Sequence, residues 1–229
     1  ASRRFHAPVI NNSPYQKAYQ GSLNTMDSHI DSGNDPIEIA HKVAVLIEQA
    51  RKQMLEPYRT LVGHLRHEVG HYFWNQLVRD NPTILDECRA IFGNDELDYG
   101  KALQQYYKMG APKKWQENFI SKYATSHPWE DWAETWAHYL HIMDMVETGY
   151  FFRLNVRPKG DTKVLKTRVS FDPYEIKDFD RIIKKCVPLS FAVNSINRAM
   201  GIPDLYPFVI SPAIIEKLRF IHKLLLSKR

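Results

Sequence analysis

His67 and His71 stand four residues apart, with Glu68 directly after the first, in the string His67-Glu68-Val69-Gly70-His71. On a helix, residues four apart lie one turn above each other on the same face. Two imidazoles so placed can grip a Zn²⁺ from one side, and Glu68 can polarise a water held by that metal. The plainer alternative is a pair of ordinary histidines on an amphipathic helix. Gly70 costs a helix about 1 kcal/mol relative to Ala, so its presence predicts that something packs closely against that turn.

A working zinc needs a third protein ligand and an open position for water. The richest source is Trp129-Glu130-Asp131-Trp132-Ala133-Glu134-Thr135-Trp136-Ala137-His138-Tyr139-Leu140-His141. At about 100° per residue, Glu130, Glu134, His138 and His141 fall within one quadrant. Trp129, Trp132, Trp136, Leu140 and Met143 fall on the far side, where core packing explains them. We read Glu130 as a metal ligand and Glu134 as the acceptor of a ligating histidine's N–H, which fixes its tautomer. Spacing alone leaves the reverse open. His138 and His141 are candidates for extra ligands or outer hydrogen-bond partners, set against ordinary core or surface histidines. His64, two turns before His71, is a candidate for the cleft wall. Tyr123, seven residues before Glu130, is placed to donate to a developing oxyanion; the alternative is a half-buried core tyrosine. Six of the ten histidines fall between residues 64 and 141, which favours a site over scatter.

The elements that must carry these residues are mainly helical. Asp35-Pro36 opens a helix running to about Gln53, with apolar positions at Ile37, Ala40, Val43, Ala44 and Ile47. Glu56-Pro57 starts the helix of the His-Glu string, which Asn81-Pro82 ends. Shorter helices are expected over 84–92, 95–107 and 115–124. His127-Pro128 begins a long one ending near Gly149. Residues 153–172 read as a loop with a possible strand pair. Further helices are expected over 173–186, 188–200 and 211–227. The expectation is a mainly α fold with minor strands: a polar segment over 1–36 and a single domain over 37–229.

Composition narrows the class. The chain has 229 residues, 44% hydrophobic and 25% charged, with a net charge of +5. That is ordinary globular usage, so a disordered or collagen-like chain is excluded. No apolar run approaches the roughly 18 residues of a membrane span. The mild basic bias carries no helix-turn-helix or RNA-binding motif, so no nucleic-acid partner is expected. Cys88 and Cys186 lie far apart, with no C-x-x-C pair. A disulfide scaffold and a cysteine-based zinc site are therefore not expected. Free thiols point to a reducing, cytoplasmic setting.

Three stretches carry a family resemblance: Glu56 to Trp74, His127 to His141, and the tail from Asn194 to Gly201 with Asp204 to His222. Here the chain resembles a bacterial family of zinc-binding metallopeptidases, whose domain often follows a small zinc ribbon. More broadly, an H-E-x-x-H helix followed by an E-x-x-x-E helix is similar to gluzincin peptidases. The resemblance implies a zincin-like helical domain and one Zn²⁺ per chain. It implies His67, His71 and Glu130 as ligands, with Glu134 supporting them. It implies Glu68 as general base, Tyr123 at the oxyanion, and a peptide or protein substrate. The ribbon's cysteine pairs are absent, so no second zinc is expected. The competing class is a zinc-stabilised protein-binding module without catalysis.

Overall fold

The computed structural model describes residues 60–159, 163–206 and 208–228, with no account of the Lys163 side chain. The expected polar segment over 1–36, the helix over 35–53 and the start at Glu56-Pro57 lie outside the described residues. The chain divides into two compact units, residues 1–65 and 66–229. Of the first, residues 60–65 are described; there Thr60 caps a helix by accepting from the Gly63 N–H at 3.0 Å.

That helix, α1 (Leu61–Trp74), runs on into a π-turn over Asn75–Arg79. Then come α2 (Pro82–Phe92), α3 (Tyr99–Met109) and α4 (Pro128–Phe151). Two-residue strands β1 (Asn155–Val156) and β2 (Thr167–Arg168) pair antiparallel. Finally come α5 (Phe179–Ala199) and α6 (Pro212–Leu226). The described part is mainly helical, with one minimal strand pair, as the sequence pattern predicts. Among the described residues, no helix is long and apolar enough to cross a membrane.

The caps follow from residue chemistry. Asn81, Asp98 and Ser211 each accept a backbone N–H of the first turn of α2, α3 and α6. His127 does the same for α4 through Nδ1 and donates its Nε2–H to the Leu97 carbonyl at 3.1 Å. Pro follows the cap in α2, α4 and α6, where its missing N–H costs nothing.

Helix α4 is the axis of the larger unit. It packs against α2, α5, α6 and the turn at Tyr123–Thr125. Every residue from Glu130 to Tyr139 is buried. The expectation of a polar face opposite an aromatic one gives way to a helix enclosed on all sides. Trp132, Trp136, Ile142, Met143 and Val146 meet Phe92, Phe179, Ile182, Leu189, Leu218 and Ile221 in one core. Each such side chain stabilises the fold by about 1.5–3 kcal/mol.

Four expected helices are revised. Residues 115–124 form two short 3₁₀ turns, Trp115–Glu117 and Tyr123–Thr125. An α-helix there would spend the Glu117 and Asn118 carbonyls on N–H groups four residues on. Instead Ser211 Oγ donates to the first at 2.8 Å and Lys217 Nζ to the second at 2.6 Å. The expected helices over 173–186 and 188–200 become a 3₁₀ turn at Pro173–Glu175 and one continuous α5, with Pro188 buried inside it. A mid-helix Pro costs about 3 kcal/mol. Burial of Ile182, Ile183, Cys186 and Leu189 on both sides of it offsets that cost. The helix expected from Asp95 begins at Tyr99, because Asp95 and Glu96 are engaged by Arg89 at 2.6 and 2.8 Å.

Candidate metal centre

Helix α1 presents His67 and His71 on one face, and the first turn of α4 presents Glu130 against them. The two imidazole Nε2 atoms stand 3.1 Å apart. Glu130 Oε2 lies 3.0 Å from His67 Nε2 and 3.6 Å from His71 Nε2. These three residues form the one group among the described residues able to hold a metal ion. Zinc–nitrogen bonds of about 2.0–2.1 Å set tetrahedral donor atoms about 3.3–3.4 Å apart. The observed edges bracket that value. Glu130 is 1% exposed, and its Oε2 has no hydrogen-bond partner. A buried carboxylate oxygen left orphaned opposite two imidazole nitrogens is what a divalent cation would satisfy. The donor set, two N and one O, suits zinc.

The surrounding charges agree. Burial pushes the Glu130 carboxyl up, but His71 and His67 outweigh it and hold the group well below the usual carboxylate range. The early-turn position on α4 adds a favourable helix dipole.

The two helices approach closely at Gly70. A Cβ there would lie 3.1 Å from Ala133 Cα and 3.1 Å from Trp136 Cβ. Trp132 Nε1 also donates to the Gly70 carbonyl at 2.9 Å. This contact brings the candidate ligands of α1 and α4 within range of a single ion.

The supporting groups are specific. His67 Nδ1 donates to Glu134 Oε1 at 2.6 Å, and Ser121 Oγ donates to Glu134 Oε2 at 2.6 Å. His67 Nε2 is thereby left as the lone-pair nitrogen facing Glu130 and His71. Tyr99 donates its hydroxyl to Glu130 Oε1 at 2.6 Å. The Trp129 ring lies 4.1 Å from the His71 ring.

Glu68 follows His67 on α1 and is partly buried. Tyr123 is buried, with its ring 6.0 Å from that of His67. His138 and His141 do not join the ligand group. His138 Nδ1 pairs with the Tyr206 hydroxyl at 2.9 Å, and Arg66 donates to His141 Nδ1 at 2.7 Å while also pairing with Asp144. Burial pushes His138 down to about 3 and His141 down to about 4. His64 belongs to the first unit.

Sequence reasoning misses Tyr99, Ser121 and the place of Trp129. A phenol 31 residues before Glu130 carries no spacing signal. Ser121 falls in the segment expected to be helical. Helical spacing groups Trp129 with the core, against which it does pack, but does not reveal that its ring also meets the His71 imidazole.

Fold and centre together define a mainly helical domain with a His-His-Glu group able to hold a metal ion. The chain belongs to the family described as "Putative zinc-binding metallo-peptidase", whose model matches residues 17–224. It is 44% identical over 186 residues to uncharacterized proteins of Mycobacterium tuberculosis and of Mycobacterium bovis, a match covering 81% of this chain and 52% of theirs. The chain thus spans about half the length of these curated relatives. No solved structure matches it.

Proposed function

We propose that the protein is a zinc-dependent, gluzincin-type peptidase with one Zn²⁺ per chain held by His67, His71 and Glu130. The observation that carries this reading is the buried, orphaned Glu130 Oε2 facing two imidazole nitrogens at 3.0 and 3.6 Å. The family's description as zinc-binding and peptidase supports it.

Bound there, zinc would supply Lewis acidity, which brings a water's pKa down to about 7. The chain's own groups do the rest. Glu68 accepts the proton of the attacking water and passes it to the leaving amine as the C–N bond breaks. Tyr123 donates to the oxygen that becomes negative during attack on the scissile carbonyl. Glu134 accepts from His67 Nδ1 and so keeps Nε2 free to ligate. Cys88 and Cys186 are buried free thiols, pushed up to about 12 by burial, and take no part in the proposed chemistry.

Metal analysis of the full chain beside Glu130→Ala and Glu68→Gln tests the reading. Wild type should carry one zinc and cleave peptides. Glu130→Ala should bind zinc far more weakly, through the two histidines alone, and Glu68→Gln should keep it and lose turnover. Stoichiometric zinc with no hydrolysis of a broad peptide library by wild type would leave a zinc-stabilised binding module instead. A wild-type chain without zinc would refute both.

A further inference from the structure

The two oxygens of Glu130 have different partners. Oε2 faces His67 and His71, and Oε1 accepts the Tyr99 hydroxyl at 2.6 Å. We infer that Tyr99 is a positioning residue that holds Glu130 as a one-oxygen ligand and thereby keeps a coordination position open for water. The inference rests on the metal-centre reading above.

A carboxylate can bind zinc through one oxygen or through both. If both bind, they occupy the position that attacking water needs, and an open fourth position is what separates catalytic from structural sites. A short hydrogen bond to an ionised carboxylate is among the stronger polar contacts a protein makes. Glu130 is 1% exposed, so bulk water offers little competition for Oε1. With Oε1 committed to the phenol, rotation of the carboxylate toward two-oxygen binding would break that short bond.

The phenol is itself fixed from two directions. Tyr99 is the first residue of α3, whose start is set by Asp98 accepting from the Lys101 N–H at 3.0 Å. Its ring lies 5.2 Å from His127, the cap of α4, and 5.9 Å from Trp129. The entry to α4 therefore places both Glu130 and the group that orients it. Helix α3, which spacing alone connects to nothing chemical, acquires a role at the centre.

The test uses the full chain as wild type, Tyr99→Phe, Glu130→Ala and the double variant. Zinc Kd is measured by chelator competition, and the Co²⁺-loaded proteins are compared by visible absorption, which reports coordination number. Tyr99→Phe should weaken zinc binding about 10–100-fold. It should also shift the cobalt bands from the intense four-coordinate pattern toward a weaker five-coordinate one. In the Glu130→Ala background the same change should alter Kd by less than about 2-fold, because the partner is gone. An unchanged Kd and spectrum in Tyr99→Phe would overturn the proposal and leave the metal centre standing. So would an equal loss in both backgrounds, or loss of the helical circular-dichroism signal, since the hydroxyl would then hold the fold rather than the ligand. A wild-type chain that binds no metal would overturn the centre and the proposal together.

Discussion

Glu134 and His67 meet at 2.6 Å, carboxylate oxygen to Nδ1, across the closest approach of α1 and α4. The contact is buried on both sides, and Ser121 occupies the other carboxylate oxygen at 2.6 Å. Glu134 thus has both oxygens engaged by side chains, and the His67 ring is held in one tautomer.

Ser121→Ala should loosen that carboxylate without touching a proposed ligand. Zinc affinity should fall toward the lower end of the roughly 10–100-fold range typical of lost outer partners. Chelator competition at fixed pH checks it, and Glu134→Gln should lose more, because the histidine's own acceptor is weakened.

Gly70→Ala should destabilise the protein although Ala is the better helix former by about 1 kcal/mol. The added methyl would sit 3.1 Å from a backbone Cα of α4, which cannot move aside cheaply. Overpacking typically costs about 1–3 kcal/mol, so the net loss should be about 1 kcal/mol, or a fall in Tm of about 2–4 °C for a chain of this size. Thermal unfolding by circular dichroism reads this directly.

Lys217→Met should cost about 3–5 kcal/mol, because it strands a buried carboxylate. Lys217 Nζ lies 2.6 Å from Asp131 Oδ2 and 2.6 Å from the Asn118 carbonyl. Burial already pushes Asp131 up to about 7 against the pull of the lysine. A carboxyl raised above its unfolded value contributes stability below that value and loses it as pH rises. The variant should therefore lose stability relative to wild type as pH is raised from about 4 to 8. Asp131→Asn in the same chain should flatten that dependence. Urea midpoints across the range measure both.

His138 gives a second, acid-side dependence. Its folded pKa is depressed from 6.5 to about 3 by burial, with Glu134 opposing. Below 6.5 the unfolded chain takes up a proton that the folded chain refuses until about 3. Stability contributed by this group is therefore full above the unfolded value and is lost as pH falls through the window, at up to about 1.4 kcal/mol per pH unit. His138→Asn should show a shallower decline between about pH 6.5 and 5 than wild type, as read from urea midpoints.

Several features of the fold and the centre are legible in local residue chemistry. Cap-and-proline pairs at His127-Pro128 and Ser211-Pro212 mark two helix starts. The four-residue spacing of His67 and His71 puts them on one face, and Gly70 does mark a close approach, to Ala133 and Trp136. What stays hidden depends on distant partners. The 115–124 segment is diverted from a helix by Ser211 and Lys217, about a hundred residues later. Pro188 is carried through α5 by core contacts that a propensity reading does not weigh. Tyr99 meets Glu130 because of how α3 enters, which no spacing rule encodes.

Helix α6 supplies Lys217, whose amine clasps both the residue beside Glu130 and the loop that bears Ser121 and Tyr123. A growing chain on the ribosome would therefore expose all three ligand side chains well before their surroundings are braced. An ion held by the proposed ligands would then sit in a braced site only once α6 has docked.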